Sequence, residues 1–123
     1  MENLYLKWID YKTNKKYIIG ALCFDRAKHK YYFKINRASI KKAEEHGFSM
    51  AFLPFPDKED IIESDTLFAF FKVRVPKIEK MSDETIKEML DDYGMKEFDE
   101  FEYLKKTKGD ILIDDFILEE EKD

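Results

Sequence analysis

The spacing of the apolar residues changes near residue 37, and this change constrains the fold more than any other feature of the chain. Before that point, segments 4–9, 17–24 and 31–35 are rich in β-forming residues, and short polar turns separate them. Beyond it, apolar residues recur three or four positions apart, as they do on one face of a helix. Three strands joined by short turns form a meander. The chain is therefore predicted to begin with a small antiparallel sheet and to continue with helices.

Three helices are predicted in the second half, because each apolar stretch there follows a residue that caps helices well. In the first of them, the spacing of Leu67, Phe68 and Phe71 places all three side chains in the core. The helices are expected over 66–75, 83–93 and 100–108, with caps at Ser64 or Asp65, at Ser82 and at Asp99.

Shorter elements are expected around these helices. A further helix is predicted over 37–46, and the segment 48–55 is predicted to be extended because Pro54 and Pro56 flank Phe55. Residues 111–118 are predicted to form a last strand, and the tail over 119–123 is predicted to fray. Gly20, inside the second strand, is typical of a bulge or of a close approach by another backbone.

Length and composition favour one domain over residues 1–123, with a β-rich region over 1–56, a helical region over 65–108 and a final strand over 111–118. The fold class expected is α+β: a small curved antiparallel sheet or partial β-barrel, with about three helices packed at one side. The single cysteine, Cys23, excludes a disulfide framework. With no visible signal peptide and no apolar run of membrane-spanning length, the sequence predicts a cytoplasmic protein that does not enter the membrane.

The residues that catalysis needs are not arranged in any familiar pattern. The four glycines are widely separated, so no phosphate-binding loop is present, and no nucleophile or metal-ligand motif is visible. Asp114 and Asp115 form the most suggestive acidic pair, but neighbours in a strand point to opposite faces and cannot jointly hold a metal ion. The sequence therefore predicts a protein that is not an enzyme and that holds no cofactor or metal.

Several motifs resemble a known family when they are taken in order. The strand YIIGAL over 17–22 is followed by the strand YYFKI, then by LFAFFKVRVP over 67–76, and then by EFEYL over 100–104 with Lys108, Gly109 and Asp110 just beyond it. This order resembles the N-terminal subdomain of HipA-type toxin kinases and covers residues 4 to about 118. The chain departs from the family pattern at Lys108-Gly109, where the family has two glycines, and it has no counterpart of the kinase core.

The resemblance implies a freestanding, HipS-like protein of a bacterial toxin–antitoxin system. Such a protein would act without catalysis, as an antitoxin or regulatory subunit that binds and restrains a separate HipA-like kinase toxin through protein–protein contact.

Four residues are the candidates for contact with that protein partner. A helix buries only a stripe of its surface, so Phe70 is expected near the edge of the stripe or outside it, and Phe55 is expected in an exposed extended segment. The flanking cations Lys72 and Arg74 are positioned to pair with acidic groups of a partner. The alternative is that Phe55 and Phe70 pack beneath a neighbouring loop.

A second, weaker similarity is to HIRAN domains, which are small β-rich modules linked to DNA ends. Residues 1–56 carry 11 basic and 5 acidic residues, and aromatic residues alternate with the lysines. Aromatic rings beside lysines are what single-stranded nucleic acid requires. Under this alternative, the residues that bind nucleic acid would be Trp8, Tyr11, Lys15, Lys16, Tyr32 and Lys34.

Overall fold

A computed structural model describes residues 1–55, 59–111 and 113–120. Over these residues, five antiparallel strands form one curved sheet, in the order β4-β3-β2-β1-β5. The strands are β1 (Glu2–Asp10), β2 (Lys15–Asp25), β3 (Lys30–Ile35), β4 (Ile61–Ser64) and β5 (Phe116–Glu119).

Four α-helices accompany the sheet within the described residues, together with short 3-10 turns at Met50–Phe52 and Ile78–Lys80. No described helix has both the length and the apolar character needed to cross a membrane. The helices are α1 (Arg37–Glu44), α2 (Ala69–Lys72), α3 (Asp83–Tyr93) and α4 (Glu100–Thr107).

The core lies between one face of the sheet and the helices. Alternate residues of β1, among them Leu4 and Leu6, are fully buried on that face. Three helices supply buried side chains to the same cluster: Ile40 from α1, Phe71 from α2, and Phe101 from α4. The predicted α+β class, a small curved sheet with helices packed against it, is confirmed.

The predicted meander is confirmed, and Gly20 combines both of the features expected of it. The register between β1 and β2 shifts at Leu6, where Gly20 pairs with Leu6 and Ile18 with the next residue, so the strand bulges. A Cβ atom at Gly20 would lie 2.5 Å from the Lys34 carbonyl oxygen and 2.5 Å from the Phe33 ring. Only glycine therefore lets β2 and β3 approach this closely.

The prediction of a helix over 66–75 is wrong at both ends, because α2 is a single turn over Ala69–Lys72. The Ser64 hydroxyl accepts a hydrogen bond from the Thr66 amide, which makes a local turn and not a helix cap. Phe68 is extended, with φ −60° and ψ 143°, and the helix begins after it. Ahead of this turn, β4 extends the sheet beside β3, where the sequence predicted no strand.

The last strand is shorter than predicted, since β5 begins at Phe116. The Asp114 side chain accepts a hydrogen bond from the Phe116 amide, which fixes a turn just before the strand. Glu119, which was expected in a frayed tail, pairs with Tyr5 of β1. Pro56, residue 112 and the tail over 121–123 lie outside the described residues, so the predictions made for them stay untested.

Candidate functional site

An apolar groove lies where the end of β1, the start of β5, α2 and the Met50–Phe52 turn meet, and we call it the aromatic groove. Its volume is about 310 Å³. Most of the side chains that line it are aromatic or aliphatic, and two are carboxylates. The residues that line it are Trp8, Phe52, Phe70, Ile113, Asp114, Asp115 and Phe116.

The floor of the groove is fixed by strand pairing. Trp8 of β1 is only 7% exposed and stands opposite Phe116 of β5 in the sheet register. The ring of Phe70, from α2, meets Phe116 edge-on at 5.3 Å between ring centroids. Edge-to-face aromatic pairs of this kind are favourable and hold the rings in defined orientations. Contacts within the fold therefore hold the rings of the floor in their positions.

The lips of the groove are apolar side chains that face solvent. Phe52 is 49% exposed, and its ring rests edge-on against Phe48. Ile113 is 84% exposed. Large apolar groups around a concave apolar surface are typical of a site that binds another molecule. Local sequence patterns indicated neither residue, since Phe52 lies in a segment predicted to be extended and Ile113 in one predicted to be a strand.

Arg74 is a buried structural residue, and its predicted role as a partner-facing cation is wrong. Its side chain is 1% exposed and donates hydrogen bonds to the Gly109 carbonyl at 2.7 Å and to the Asp114 carboxylate. Its guanidinium also lies over Phe70, with Cζ 4.8 Å from the ring centroid. Its Nε has no hydrogen-bond partner among the described residues. Arg74 thus fixes Phe70 and Asp114, which both line the groove.

Phe55 is also not the exposed anchor that was predicted. Its ring stacks on the buried ring of Phe33 at 4.7 Å between centroids and meets Phe68 edge-on at 5.6 Å. Phe70 is half-buried and lines the aromatic groove, and Lys72 is exposed on the same helix. Of the four predicted partner-binding residues, Arg74 alone is fully buried, Lys72 is exposed, and Phe55 and Phe70 are both partly buried against the core.

The six residues predicted for nucleic-acid binding do not form one surface. Trp8 is buried on the helix side of the sheet, whereas Tyr32 and Lys34 alternate with the buried residues of β3 and face away from the helices. Tyr11 and Lys15 are exposed near the turn between β1 and β2. These positions provide no continuous row of rings on which successive bases could stack.

Lys16, the remaining member of that set, belongs to a cluster of charges around Glu119. The Glu119 carboxylate accepts hydrogen bonds from Lys7 at 3.3 Å, from Lys16 at 3.1 Å and from Lys108 at 3.3 Å. Burial by itself would raise the pKa of Glu119, but the three lysines lower it to about 2. No local sequence pattern indicated this cluster, because its members are far apart in the chain.

Within residues 1–55, 59–111 and 113–120, no group of three or more His, Cys, Asp or Glu side chains could hold a metal ion. No protein-family model matches the chain, and no curated protein matches it significantly.

Proposed function

We propose that this protein acts by binding another protein through the aromatic groove, without catalysing a reaction. The observation that carries the proposal is the combination of an aromatic floor, packed within the fold, with two exposed apolar side chains at its edges, Phe52 and Ile113. Protein interfaces concentrate their binding energy in a few aromatic or aliphatic side chains that are buried when the partner arrives. A groove of about 310 Å³ is large enough to receive one or two such side chains.

The partner that we propose is a HipA-like kinase toxin, in which case the chain is a bacterial antitoxin or regulatory subunit. This identity depends on the order of the sequence motifs described above, and one of them supplies Phe70, which lines the groove. A reducing cytoplasm is the location that we propose, because the single cysteine, Cys23, is buried and free.

The proposal is tested by truncating the two lips together, as Phe52→Ala with Ile113→Ala, and by measuring affinity for a HipA-like kinase encoded beside this chain. Ile113 is largely exposed and Phe52 is about half exposed, so the protein should stay folded with only a small drop in melting temperature. We expect affinity to fall about 30-fold or more, because truncating an interface anchor costs about 2 kcal/mol. The matched control is Tyr11→Ala with Ile61→Ala, which removes one exposed aromatic and one exposed isoleucine elsewhere. Equal affinities for the two double variants would contradict the proposal.

A HIRAN-like role in nucleic-acid binding is the second candidate, and the lysine cluster around Glu119 favours it. Three ammonium groups against one carboxylate leave an excess of positive charge, which a phosphate backbone attracts. Fluorescence anisotropy with a labelled single-stranded DNA should then show affinity that falls as salt rises. Lys16→Gln with Lys108→Gln should weaken binding, whereas the control Lys41→Gln with Lys87→Gln should not. Failure to bind at low salt would eliminate this candidate.

A further inference from the structure

The two edges of the sheet differ in whether their backbone groups already have partners. The strand β5 forms one edge, and the amides of Phe116 and Leu118 point away from its neighbour β1. Leu118 donates a hydrogen bond to the Lys108 carbonyl at 2.7 Å, and Phe116 donates one to the Asp114 carboxylate at 3.1 Å. Hydrogen bonds within the chain therefore occupy the amides at this edge, where a further strand would otherwise pair.

The strand β4 forms the other edge, and its outward backbone groups have no such partners. The Asp60 carbonyl accepts a hydrogen bond from β3 at 2.8 Å, and bonded pairs alternate along an antiparallel ladder. Ile62 and Ser64 are therefore the residues of β4 that bond to β3. The backbone groups of Ile61 and Glu63 point the other way and make no hydrogen bond with any described residue. This edge is open to pairing with another extended segment.

The side chains of the open edge do not protect it in the usual way. Natural sheets commonly place lysine or proline on an edge strand to discourage pairing, and β4 contains neither. Ile61 is 55% exposed, and Glu63 is exposed two positions later on the same face of the sheet. The edge therefore offers an arriving strand one apolar contact and one charge, side by side.

Charge indicates what kind of segment fits this edge. The acidic residues of β4 and its flanks are all exposed: Glu59, Asp60, Glu63 and Asp65. Among the described residues, only Asp60 has an ion pair, with Arg37. A second copy of this chain would bring the same carboxylates against one another, and like charges across a strand pair are destabilising. A segment with lysine or arginine opposite Glu63 would gain a favourable pair instead.

We propose that β4 is a docking edge for an extended, basic segment of a partner protein, which adds to the sheet as an antiparallel strand. Main-chain hydrogen bonds to Ile61 and Glu63 supply affinity, and alternate side chains supply selectivity. The segment carries a lysine or arginine opposite Glu63 and, two residues further along, an apolar residue opposite Ile61. No residue of β4 lines the aromatic groove, so this inference does not depend on the function proposed for that groove.

The test uses three capped peptides and amide hydrogen exchange, measured by NMR on the full chain. The basic peptide is acetyl-Thr-Lys-Thr-Val-Thr-Lys-Thr-amide, and the acidic peptide has glutamate in place of each lysine. The third is the basic peptide with N-methyl groups on its lysines and valine, which keeps the charge and removes the donors that would face β4. We expect the basic peptide alone to slow exchange at the amides of Ile61 and Glu63. The amides of Ile62 and Ser64, already bonded to β3, should change little.

Substitutions in β4 separate the backbone from the side chains. Proline is tolerated at the first residue of a strand, so Ile61→Pro removes the outward amide, and it should weaken the basic peptide about tenfold. Ile61→Ala keeps that amide and should weaken binding only about threefold. Glu63→Gln should also cost about threefold, whereas Glu88→Gln, which removes an exposed carboxylate from α3, should cost nothing.

Three results with the peptides would overturn the proposal: no binding by the basic peptide, equal binding by the acidic peptide, or equal binding by the N-methylated peptide. The last would mean that charge attracts the peptide without strand pairing. These comparisons use the unaltered protein, so they stand even if Ile61→Pro fails to fold. Dimerisation of the free chain with the amides of Ile61 and Glu63 protected would also overturn the proposal, because the occupant would then be a second copy.

Discussion

At the scale of single residues, Phe71 shows what holds the helical region to the sheet. It is fully buried, and its ring contacts the rings of Phe33 and Phe55. Phe71→Ala should lower the free energy of unfolding by about 3–5 kcal/mol, because it removes a large apolar side chain and leaves a cavity. Urea unfolding measures this loss. The control Val73→Ala lies two residues away and is exposed, so its effect should be near zero, and a similar effect for both would mean that α2 does not pack as described.

Substitution of Arg74 tests whether this residue has a structural role or a role in binding. Arg74→Ala should cost about 3 kcal/mol, since it leaves the Asp114 carboxylate and the Gly109 carbonyl without their partner. A double-mutant cycle with Asp114→Asn, followed by urea unfolding, should show that the two changes are not additive. If Arg74→Ala kept full stability and lost only partner affinity, Arg74 would be an interface residue after all.

Glu119 should make stability depend on pH in the acidic range. Its pKa is about 2 in the folded protein, below the usual value of 4.5, so the carboxylate binds its proton more readily when the chain unfolds. The stabilisation is therefore complete above pH 4.5 and is lost as the pH falls toward 2. Its size is on the order of 1 kcal/mol, because solvent screens the exposed lysines. Glu119→Gln should flatten this region of the pH profile, and Glu63→Gln, an exposed control, should not.

The spacing of apolar residues in the sequence predicted the burial of some of these side chains correctly. It failed for others, for a physical reason. Leu67 and Phe71 are buried as predicted, but Leu67 precedes α2, so its burial does not come from the helical repeat that predicted it. The burial of Arg74 depends on Asp114, which is 40 residues away, and the position of Phe55 depends on the ring of Phe33. Contacts of that kind are set by tertiary packing, and no local pattern indicates them.

At the scale of elements, the helices with strong end signals were predicted closely. Ser82 and Asp99 cap α3 and α4 through their side chains, and Gly94 ends α3 in the left-handed conformation. In contrast, β4 is four residues long and forms by pairing with β3, so it has little local signal. The run 66–75 has helical spacing, but Phe68 packs against the core in an extended conformation and limits α2 to one turn.

Gly20 provides a test of the sheet itself. Gly20→Ala would place a methyl group 2.5 Å from the Lys34 carbonyl oxygen, and that backbone atom cannot move without breaking the pairing of β2 with β3. We expect a loss of about 1–3 kcal/mol in the free energy of unfolding, measured with urea, together with changed amide shifts along β3. A loss below about 0.5 kcal/mol would show that the two strands are not in such close contact.

At the scale of the whole molecule, strand order determines where a partner could bind. The last strand, β5, returns to pair with β1, and this pairing brings Phe116 beside Trp8, more than 100 positions earlier in the chain. The aromatic groove therefore depends on the complete fold, and the sequence indicated only Phe70 as a partner-facing residue in it.

The most direct test of the central claim uses Trp8, which is the single tryptophan of the chain and lies in the floor of the groove. Protein labelled with 5-fluorotryptophan gives one ¹⁹F resonance, which is recorded as the HipA-like kinase is added. We predict that the resonance shifts and broadens, and that Phe52→Ala with Ile113→Ala prevents the change. If slower diffusion shows that the complex has formed while the resonance stays in place, the partner binds elsewhere and the claim is wrong.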